Sequence, residues 1–341
     1  MKVSDLFTPI RILILSVGLV LATVVFFTKE VPLQNFSGDI MGTSYNISIA
    51  GNSNINNSLI FKKLDLINEE MSTYIPTSFI NKFNETPVDV WIEASPSFLS
   101  VLSYAIEVCK FSNGYFDVTA GILVNLWGFG PNTVDGPPPS TQIKQSLEEI
   151  GCSSISINNL NGKIRRNKDV RLDFSAIAKG FAIDQLYDTF LLDDQVTGFL
   201  IEIGGEIKTY GYKNKKEPWV VGISHPTLSG QSILKIKTDI KETFSMATSG
   251  DYRNFKLLDD KMLSHTINTN NGMPIEVRGL SVTVISDSAM KADALATALN
   301  AMGPDEGLKF SNLHGIDSIF VFKERNQYVV KRSENLQNTL Q

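Results

Sequence analysis

The stretch Ala292-Asp293-Ala294-Leu295-Ala296-Thr297 decides how the rest of this chain is interpreted. Apolar residues recur around it at helical spacing, Ser288 precedes it as a cap, and Gly303-Pro304 follows it as a stop signal, so the pattern predicts a helix. Residues four apart lie on one face of a helix. Asp293 and Thr297 therefore present two oxygens one turn apart, and they border the apolar stripe, which predicts that they are half-buried.

A carboxylate and a hydroxyl at this spacing suit a hard cation such as Mg2+, because a half-buried carboxylate needs a cation or hydrogen-bond donors. The alternative is an ordinary helix in which the Thr297 hydroxyl bonds back to its own turn. The spacing is common by chance, so the choice between the two depends on the rest of the sequence.

The composition is that of a globular protein and argues against a nucleic-acid partner. The chain has 341 residues, of which 43% are hydrophobic and 20% charged, and its formal net charge is −5. Basic runs such as Lys213-Asn214-Lys215-Lys216 are short, so duplex nucleic acid is not an expected ligand. Cys109 and Cys152 lack zinc-type spacing, and whether they pair is left open, since a disulfide requires an oxidising compartment. The three histidines are too dispersed for a His-based metal centre.

An uncharged run over residues 12–28 gives the chain a topological signal. The run is just long enough to span a bilayer, and Lys2 and Arg11 precede it, which predicts an N-in, C-out orientation. We expect residues 1–30 to be an uncleaved membrane anchor, because no good small-x-small cleavage site is present; a cleaved signal peptide is the alternative. In both cases residues 31–341 form an exported domain.

Strand-like and helix-like runs alternate irregularly after residue 40, which predicts an α+β fold of mixed sheets with packed helices. The strand patterns are residues 45–50, 153–157, 170–174, 199–203, 219–223, 281–286, 318–322 and 328–330. Besides the Asp293 helix, the helix patterns are residues 59–71, 98–111 and 176–190. We expect residues 30–38 to be a linker and the last ten residues to be frayed. No GxGxxG or Walker sequence occurs, so a nucleotide would not be held by those loops.

Four further segments have side chains suited to chemistry. Asp173 is predicted to lie where a strand meets the helix that carries Lys179, and a helix N-terminus with a nearby ammonium attracts phosphate. Glu202-Ile-Gly-Gly-Glu206 indicates either a hairpin turn or the close approach of a planar ligand. Residues 247–253 are predicted to offer amides and hydroxyls in a turn, and His265 has the residue type of a general base. A capped helix, a plain hairpin and a structural histidine are the simpler explanations.

In this order the segments closely resemble the ApbE-type flavin transferases, which move FMN from FAD onto a protein. The matching segments are Met41-Gly-Thr, Met71-Ser-Thr-Tyr-Ile-Pro, Gly114-Tyr-Phe-Asp, Asp173-Phe-Ser-Ala-Ile-Ala-Lys-Gly, Glu202-Ile-Gly-Gly-Glu, Ala247-Thr-Ser-Gly-Asp-Tyr, Ser264-His-Thr-Ile-Asn and Ala292-Asp-Ala-Leu-Ala-Thr. They cover the chain from about Met41 to Gly303. Phe174-Ser175 stands where the family often has Leu-Gly, and Thr269-Asn270 where it often has a proline; neither change removes a functional side chain.

The resemblance implies an α+β architecture, similar to a T-fold, that binds FAD with Mg2+. By match of motif, the metal ligands would be Asp293, Thr297 and the backbone carbonyl of Ala176. The residues that the resemblance implies as the FAD site are Met41, Tyr74, Tyr115, Phe116, Asp117, Asp173, Lys179, Ser264 and Ile267. The implied base is His265, with Asp251 as the next candidate. Lys179 would neutralise charge on the reacting pyrophosphate.

The implied reaction is attack by a Thr or Ser hydroxyl of an acceptor protein on the FMN-side phosphorus of FAD, with release of AMP. The family's acceptors carry a short Gly-Ala-Thr/Ser type motif and are exported flavosubunits of quinone or ferredoxin oxidoreductases. An enzyme held in the bacterial inner membrane, with its catalytic domain facing the periplasm, would meet them there. The family is often lipid-anchored through a cysteine, whereas this chain has the apolar run instead.

Two other functions stay open from the sequence. The first is an FAD pyrophosphatase that gives FMN and AMP, because water can replace the protein hydroxyl at the same site. The second is a flavin-binding protein without catalysis, which the presence of Asp293, Thr297 and His265 disfavours.

Overall fold

A computed structural model describes residues 31–341, except residues 132–133, 135, 215–216, 227, 229, 239–242, 252–254, 259–260, 278, 326 and 340–341. The anchor expected over residues 12–28 lies outside the described residues. Among the residues that are described, no helix is both long enough and apolar enough to cross a bilayer.

In this part of the chain the helices are α1 (Asn57–Met71), α2 (Phe79–Glu85), α3 (Pro96–Phe111), α4 (Gly121–Leu126), α5 (Ser140–Glu149), α6 (Ala178–Phe190), α7 (Ala289–Met302), α8 (Pro304–His314) and α9 (Glu334–Thr339). The strands are β1 (Leu33–Ile40), β2 (Thr43–Gly51), β3 (Ile92–Glu93), β4 (Ile155–Asn158), β5 (Lys163–Arg166), β6 (Val196–Ile203), β7 (Glu206–Asn214), β8 (Glu217–Pro218), β9 (Val220–Ser224), β10 (Ser232–Lys237), β11 (Phe244–Gly250), β12 (Phe255–Leu258), β13 (Lys261–Asn268), β14 (Met273–Glu276), β15 (Ser281–Ser286), β16 (Asp317–Glu324) and β17 (Gln327–Arg332).

A large antiparallel sheet organises the domain, and the α+β prediction is confirmed. Its strand order is β1-β2-β6-β7-β11-β15-β16-β17, and β8 pairs with β7 at its side. Smaller sheets are formed by β9 with β10, by β12-β13-β14 and by β3-β5-β4. Helices α6 and α7 pack against the central strands of the large sheet. Ile207, Met246 and Ile319 belong to a second apolar cluster that is covered by Val221 and Ile223 of β9.

Two tight turns lie at the same end of the large sheet. Ile40 pairs with Thr43 across the two-residue turn Met41-Gly42, where φ is +51° and +70°. Ile203 pairs with Glu206 across Gly204-Gly205, where φ is +62° and +105°. Positive φ at both central positions is the geometry that two-residue hairpins require. Because the Gly204 amide donates to the Ser44 carbonyl at 3.0 Å, the two turns are neighbours.

Helix α7 has the ends that the sequence predicts but is more deeply buried. Ser288 caps its first turn by accepting from the Lys291 amide, and Gly303 follows its last residue with φ +80°. The prediction that Asp293 and Thr297 are half-buried is confirmed for Thr297 but wrong for Asp293, which is only 4% exposed. The alanines on its other faces let α6 and the sheet pack close around the helix, so its polar face is covered too.

Residues 170–174 were expected to form a strand, and that expectation is wrong. Arg171 makes one isolated parallel bridge to Ala120. Beside it, the side chain of Asn84 in α2 takes the place of a partner strand, because it donates to the Leu172 carbonyl at 2.9 Å and accepts from the Leu172 amide at 2.7 Å. An amide side chain satisfies both backbone groups, so the segment needs no full ladder.

Three other local expectations are corrected. The linker expected over residues 30–38 is mostly the edge strand β1, which pairs with β2 along its whole length. The turn expected over residues 247–253 is largely the central strand β11, where the hydroxyls of Thr248 and Thr283 meet at 2.8 Å across the ladder. The tail contains α9, which is fastened because Leu336 is 1% exposed.

Cys109 and Cys152 form a disulfide between the end of α3 and the segment after α5. The Gly114 amide donates to the Cys109 carbonyl at 2.8 Å, and the Gly151 amide donates to the Thr119 hydroxyl at 2.9 Å. The disulfide therefore fastens both sides of the loop that carries residues 114–117.

We predict that the double variant Cys109→Ala/Cys152→Ala is less stable than the oxidised chain. The closed loop spans 43 residues, and loss of a cross-link of this length costs up to about 4 kcal/mol on the chain-entropy account. Urea denaturation of both proteins measures the difference. Equal free energies of unfolding would mean that the bridge does not constrain the domain.

Candidate active site

The candidate site is built where the N-terminal ends of α6 and α7 touch. A Cβ atom on Gly180 of α6 would lie 2.3 Å from the Ala289 carbonyl oxygen of α7, so the contact requires glycine. The Gly180 amide donates to Asp293 Oδ2 at 3.1 Å. Asp184, one turn further along α6, accepts from the Ala289 and Met290 amides at 3.0 Å each and from the Ser288 hydroxyl at 2.7 Å. These contacts fix Asp293 against the first turn of α6.

Lys179 lies between two buried carboxylates at this junction. Its Nζ is 3.8 Å from Asp293 Oδ2 and 3.8 Å from Glu206 Oε1, and it donates to the Ser175 carbonyl at 3.2 Å. Its aliphatic stem runs beside the β6–β7 turn, because a Cβ atom on Gly204 would lie 3.2 Å from Lys179 Cδ. The same atom would lie 3.0 Å from Thr43 Cγ2, so the stem also runs close to the Met41-Gly42 turn.

The sequence left two interpretations of the Gly204-Gly205 segment, a hairpin turn or the close approach of a planar ligand. The hairpin turn is confirmed, and the approach of a planar ligand stays a prediction. The glycines form a hairpin turn, and Gly204 also lets the Lys179 stem pass close by. Met41, in the neighbouring turn, is half-buried and packs against the main core. The predicted residues Met41, Lys179 and Asp293 are therefore brought to one end of the sheet.

The oxygen donors on α7 fit a hard cation. Burial raises the pKa of the Asp293 carboxyl, while the Lys179 ammonium and the Gly180 amide act in the opposite direction. A carboxylate this deeply buried is stabilised by additional positive charge. In the described residues Thr297 is not bonded back to its own turn, whereas the hydroxyls of Thr189 and Ser311 donate to carbonyls four residues earlier. The Thr297 oxygen is thus available beside Asp293.

A cation held here would have few charged ligands. In the part of the chain that the structure describes, no three His, Cys, Asp or Glu side chains cluster as a metal centre. The remaining ligands would be neutral oxygens, such as the Thr297 hydroxyl and the carbonyl of Ala176, which lies two residues before α6. One carboxylate with hydroxyl and carbonyl oxygens is a donor set that suits Mg2+ rather than a soft metal.

A second group of predicted residues surrounds the segment before α6. Asp173 Oδ1 accepts from the Ser175 amide at 2.8 Å and from its hydroxyl, and the Asp173 amide donates to the Val118 carbonyl at 2.8 Å. Asp117, one residue before Val118, accepts from the Thr119 amide and hydroxyl at 2.8 and 2.7 Å. Burial raises the pKa of Asp117, and the Thr119 bonds partly offset that rise. The two carboxylates are held in place by their own loops.

The aromatic residues of this group play different structural parts. Tyr74 is 62% exposed and donates to the Phe129 carbonyl at 3.1 Å. Its pKa is raised first by desolvation and second by the charge of Asp173, which places the two residues near each other. Tyr115 is half-buried and donates to Glu306 at 2.9 Å, whereas Phe116 is 2% exposed and belongs to the main core. Tyr74 therefore offers a ring surface that Phe116 does not.

The predicted site residues on strand β13 differ in how deeply their side chains are buried and in what they contact. Ser264 is fully buried and its hydroxyl accepts from the Thr266 amide at 3.2 Å. Ile267 is buried in a small apolar cluster with Leu123 and Trp127 of the α4 region. His265, between them, is half-buried, and its role as a base stays a prediction.

Asp251 lies near the other end of α7. It is 1% exposed and lines a cavity of about 280 Å3 together with Asn268 and Asn300. Asn300 follows Asp293 by seven residues, so the cavity begins about 10 Å along the helix from Asp293. This arrangement separates Asp251 from the Lys179 junction, and its role as a base stays a prediction.

Sequence reasoning missed three residues of the site. Glu206 was quoted as part of a motif without a role, although two carboxylates flanking paired glycines were a usable signal. Asn300 continues the face of Asp293 and Thr297 at the i, i+7 position, where its Oδ1 has no hydrogen-bond partner among the described residues. Asp184 gave no sequence signal, because the carboxylate caps a helix that begins more than a hundred residues later.

The comparisons with known proteins agree with this architecture. A sequence model described as the ApbE family matches residues 41–320. An FAD:protein FMN transferase of Haemophilus influenzae is 33% identical over 316 residues, covering 89% of this chain and 91% of the relative. One of Vibrio cholerae is 34% identical over 303 residues, covering 86% and 89%. The apo crystal structure of the Pseudomonas stutzeri flavinyl transferase ApbE superposes with a TM-score of 0.82 at 29% identity, covering 92% of this chain and 98% of that one.

The fold and the site thus define an α+β protein of the flavin-transferase type. The chain belongs to the ApbE family.

We predict that Gly180→Ala disrupts the junction between α6 and α7. The added Cβ would lie 2.3 Å from a backbone oxygen, and overpacking of this kind costs roughly 1–3 kcal/mol or more. Thermal unfolding should therefore begin at a lower temperature, and FAD-dependent activity should fall because Lys179 and Asp293 move apart. Unchanged stability would contradict the close contact.

Proposed function

We propose that this chain is an Mg2+-dependent FAD:protein FMN transferase. The observation that carries the proposal is the buried junction in which Lys179 lies 3.8 Å from both Asp293 and Glu206, at the sheet end that also presents Met41. An ammonium and an oxygen-lined cation site beside two glycine-containing turns suit the pyrophosphate of FAD, which carries negative charge on both phosphorus atoms. The names of the relatives support the same activity.

The reaction exchanges the phosphoanhydride bond of FAD for a phosphoester bond to the acceptor protein. A Thr or Ser hydroxyl oxygen of the acceptor protein forms a bond to the FMN-side phosphorus, and the bond from that phosphorus to the bridging oxygen breaks. The electron pair leaves with AMP, and the hydroxyl proton passes to His265. Lys179 would neutralise charge on the pyrophosphate as the bond breaks.

Asp293, Thr297 and the Ala176 carbonyl would hold Mg2+. When bound there, Mg2+ would supply charge neutralisation and alignment at the reacting phosphate. The chain fixes two of these ligands directly: the Gly180 amide orients the Asp293 carboxylate, and α7 holds Thr297 one turn away.

The flavin would lie along the residues that surround the segment before α6. The exposed ring of Tyr74 offers a stacking surface, and the carboxylates of Asp117 and Asp173 can accept hydrogen bonds from ribityl, ribose or base groups. The buried Phe116 and Ile267 would support this surface by packing beneath it rather than by polar contact.

The proposed location is the periplasmic side of the bacterial inner membrane, with residues 1–30 as the anchor. The Cys109–Cys152 disulfide supports an oxidising compartment. Exported flavosubunits with a Gly-Ala-Thr/Ser motif are the proposed acceptors.

Intact mass measurement tests the activity. The purified full chain is mixed with FAD, Mg2+ and an acceptor domain bearing a Gly-Ala-Thr motif. One FMN added to the acceptor threonine, and lost when EDTA is present, is the expected result. Release of FMN and AMP without an adduct would favour the pyrophosphatase, and bound FAD with neither product would leave a carrier and contradict the proposed chemistry.

Asp293→Asn should abolish most of the Mg2+-dependent transfer, because it removes the charged ligand while keeping the size of the side chain. Mutation of residues that only hydrogen-bond to metal ligands already costs roughly 10–100-fold in metal affinity or activity, so for the ligand itself we expect a loss of transfer rate of at least about 100-fold. Asp188→Asn is the matched control, since Asp188 lies exposed on α6. Transfer at the wild-type rate in Asp293→Asn would refute the metal assignment.

His265→Ala should slow transfer by about 100-fold or more, because a general base contributes that much, and FAD binding should be largely kept. Transfer is followed by flavin fluorescence of the acceptor in a denaturing gel, and FAD binding by quenching of free FAD fluorescence. His314→Ala, at the exposed end of α8, serves as the control. If His265→Ala transfers normally, the proton goes elsewhere, and Asp251 becomes the next residue to change.

A further inference from the structure

Glu206 is a buried carboxylate that has no role in the FAD or metal assignments above. It is the first residue of β7, directly after the Gly204-Gly205 turn, and it is 4% exposed. Its Oε1 is 3.8 Å from Lys179 Nζ, the same distance that separates this nitrogen from Asp293 Oδ2. One ammonium is therefore shared by two buried carboxylates.

The position of the ammonium is set by the chain around it. The Lys179 stem passes Gly204, whose missing Cβ leaves the space for it, and Nζ donates to the Ser175 carbonyl at 3.2 Å. Glu206 follows Gly204 by two residues on a rigid hairpin. The carboxylate of Glu206 and the stem of Lys179 are thus held by the same turn.

Asp293 has two partners in the proposed function, and they compete for it. The Lys179 ammonium already lies near its carboxylate, and a divalent cation would bind the same oxygens. If the Glu206 charge were removed, the Lys179 ammonium would have Asp293 as its remaining carboxylate here and would bind it more firmly, because a buried charge is stabilised by a nearby opposite charge. Because Glu206 also attracts the Lys179 ammonium, Lys179 competes less strongly with a divalent cation for the Asp293 carboxylate.

We propose that Glu206 is a positioning residue that holds the Lys179 ammonium, so that the Asp293 carboxylate can take a divalent cation while Lys179 stays in place for the pyrophosphate. This inference rests on the proposed function and adds a residue to it. Glu206 would act through Lys179 and through the charge of the junction rather than by contact with the reacting groups.

Neutralising Glu206 should have opposite effects on the two ligands. The junction becomes less negative, so a divalent cation binds more weakly. The pyrophosphate of FAD is an anion, so its binding without metal is unchanged or tighter. A substitution that only loosens the fold would weaken the binding of both the cation and FAD. Comparing the two affinities therefore distinguishes an electrostatic role of Glu206 from a structural one.

The test compares Glu206→Gln with the wild-type full chain. Mn2+ is the metal probe, because its free concentration is read from its solution EPR signal, and FAD binding is measured by fluorescence quenching in EDTA. We expect the Mn2+ dissociation constant to rise by about 10-fold or more, FAD binding to hold or tighten, and transfer to recover as Mg2+ is raised.

Glu202→Gln is the matched control. Glu202 is on the same turn and loses the same charge, but its oxygens accept from the Gly205 amide and from Asn46, each at 2.7 Å, and not from Lys179. Both affinities should stay at the wild-type values. Glu206→Asp, which keeps the charge, should bind Mn2+ more tightly than a folded Glu206→Gln. Where the amide variant folds poorly, Glu206→Asp is compared with the wild type, and loss of Mn2+ binding in a folded Glu206→Asp would contradict the electrostatic role.

Equal Mn2+ affinity in Glu206→Gln and the wild type would overturn the inference, and so would parallel loss of Mn2+ and FAD binding in a folded protein. Failure of the proposed function is recognised separately, because then the wild-type chain itself forms no FMN adduct. The binding comparison still decides the role of Glu206 in that case.

Discussion

The approach of α6 to α7 at Gly180 is the constraint on which the site depends. The two backbones touch because residue 180 has no Cβ, and the Asp184 carboxylate ties the first amides of α7 to α6. Lys208 approaches this carboxylate at 2.6 Å and balances its charge. Together, Gly180, Asp184 and Lys208 hold the start of α7 against the start of α6. Lys179 and Asp293 are neighbours because the two helices are packed together in this way.

The large sheet supplies the other side of the same junction. Its strands β2 and β6 pair so that their turns lie side by side, and Gly204 comes within reach of the Lys179 stem. A hairpin turn made of two glycines leaves no side chain in the way of the ammonium. The result is a buried junction in which the Lys179 ammonium lies 3.8 Å from both the Asp293 and the Glu206 carboxylates. This junction links the fold to the proposed use of Mg2+.

Much of this arrangement could be predicted from the sequence, because its signals are local. The ends of α7 follow from Ser288 and Gly303, and the α6 pattern and the β6–β7 turn are visible in short windows. The deep burial of Asp293 was not predictable in this way, since it depends on which helix packs on its polar face. The segment 170–174 was misjudged because Asn84, far away in sequence, replaces a partner strand. Edge strand β1 and tail helix α9 are polar and gain their order from tertiary contacts.

The measurement that tests the central claim most directly is a crystal structure of the full chain with FAD and Mn2+, using the anomalous signal of the metal. We expect a strong peak within coordination distance of Asp293, Thr297 and the Ala176 carbonyl, with the FAD pyrophosphate next to Lys179. A peak in the cavity lined by Asp251 and Asn300, with none at Asp293, would contradict it.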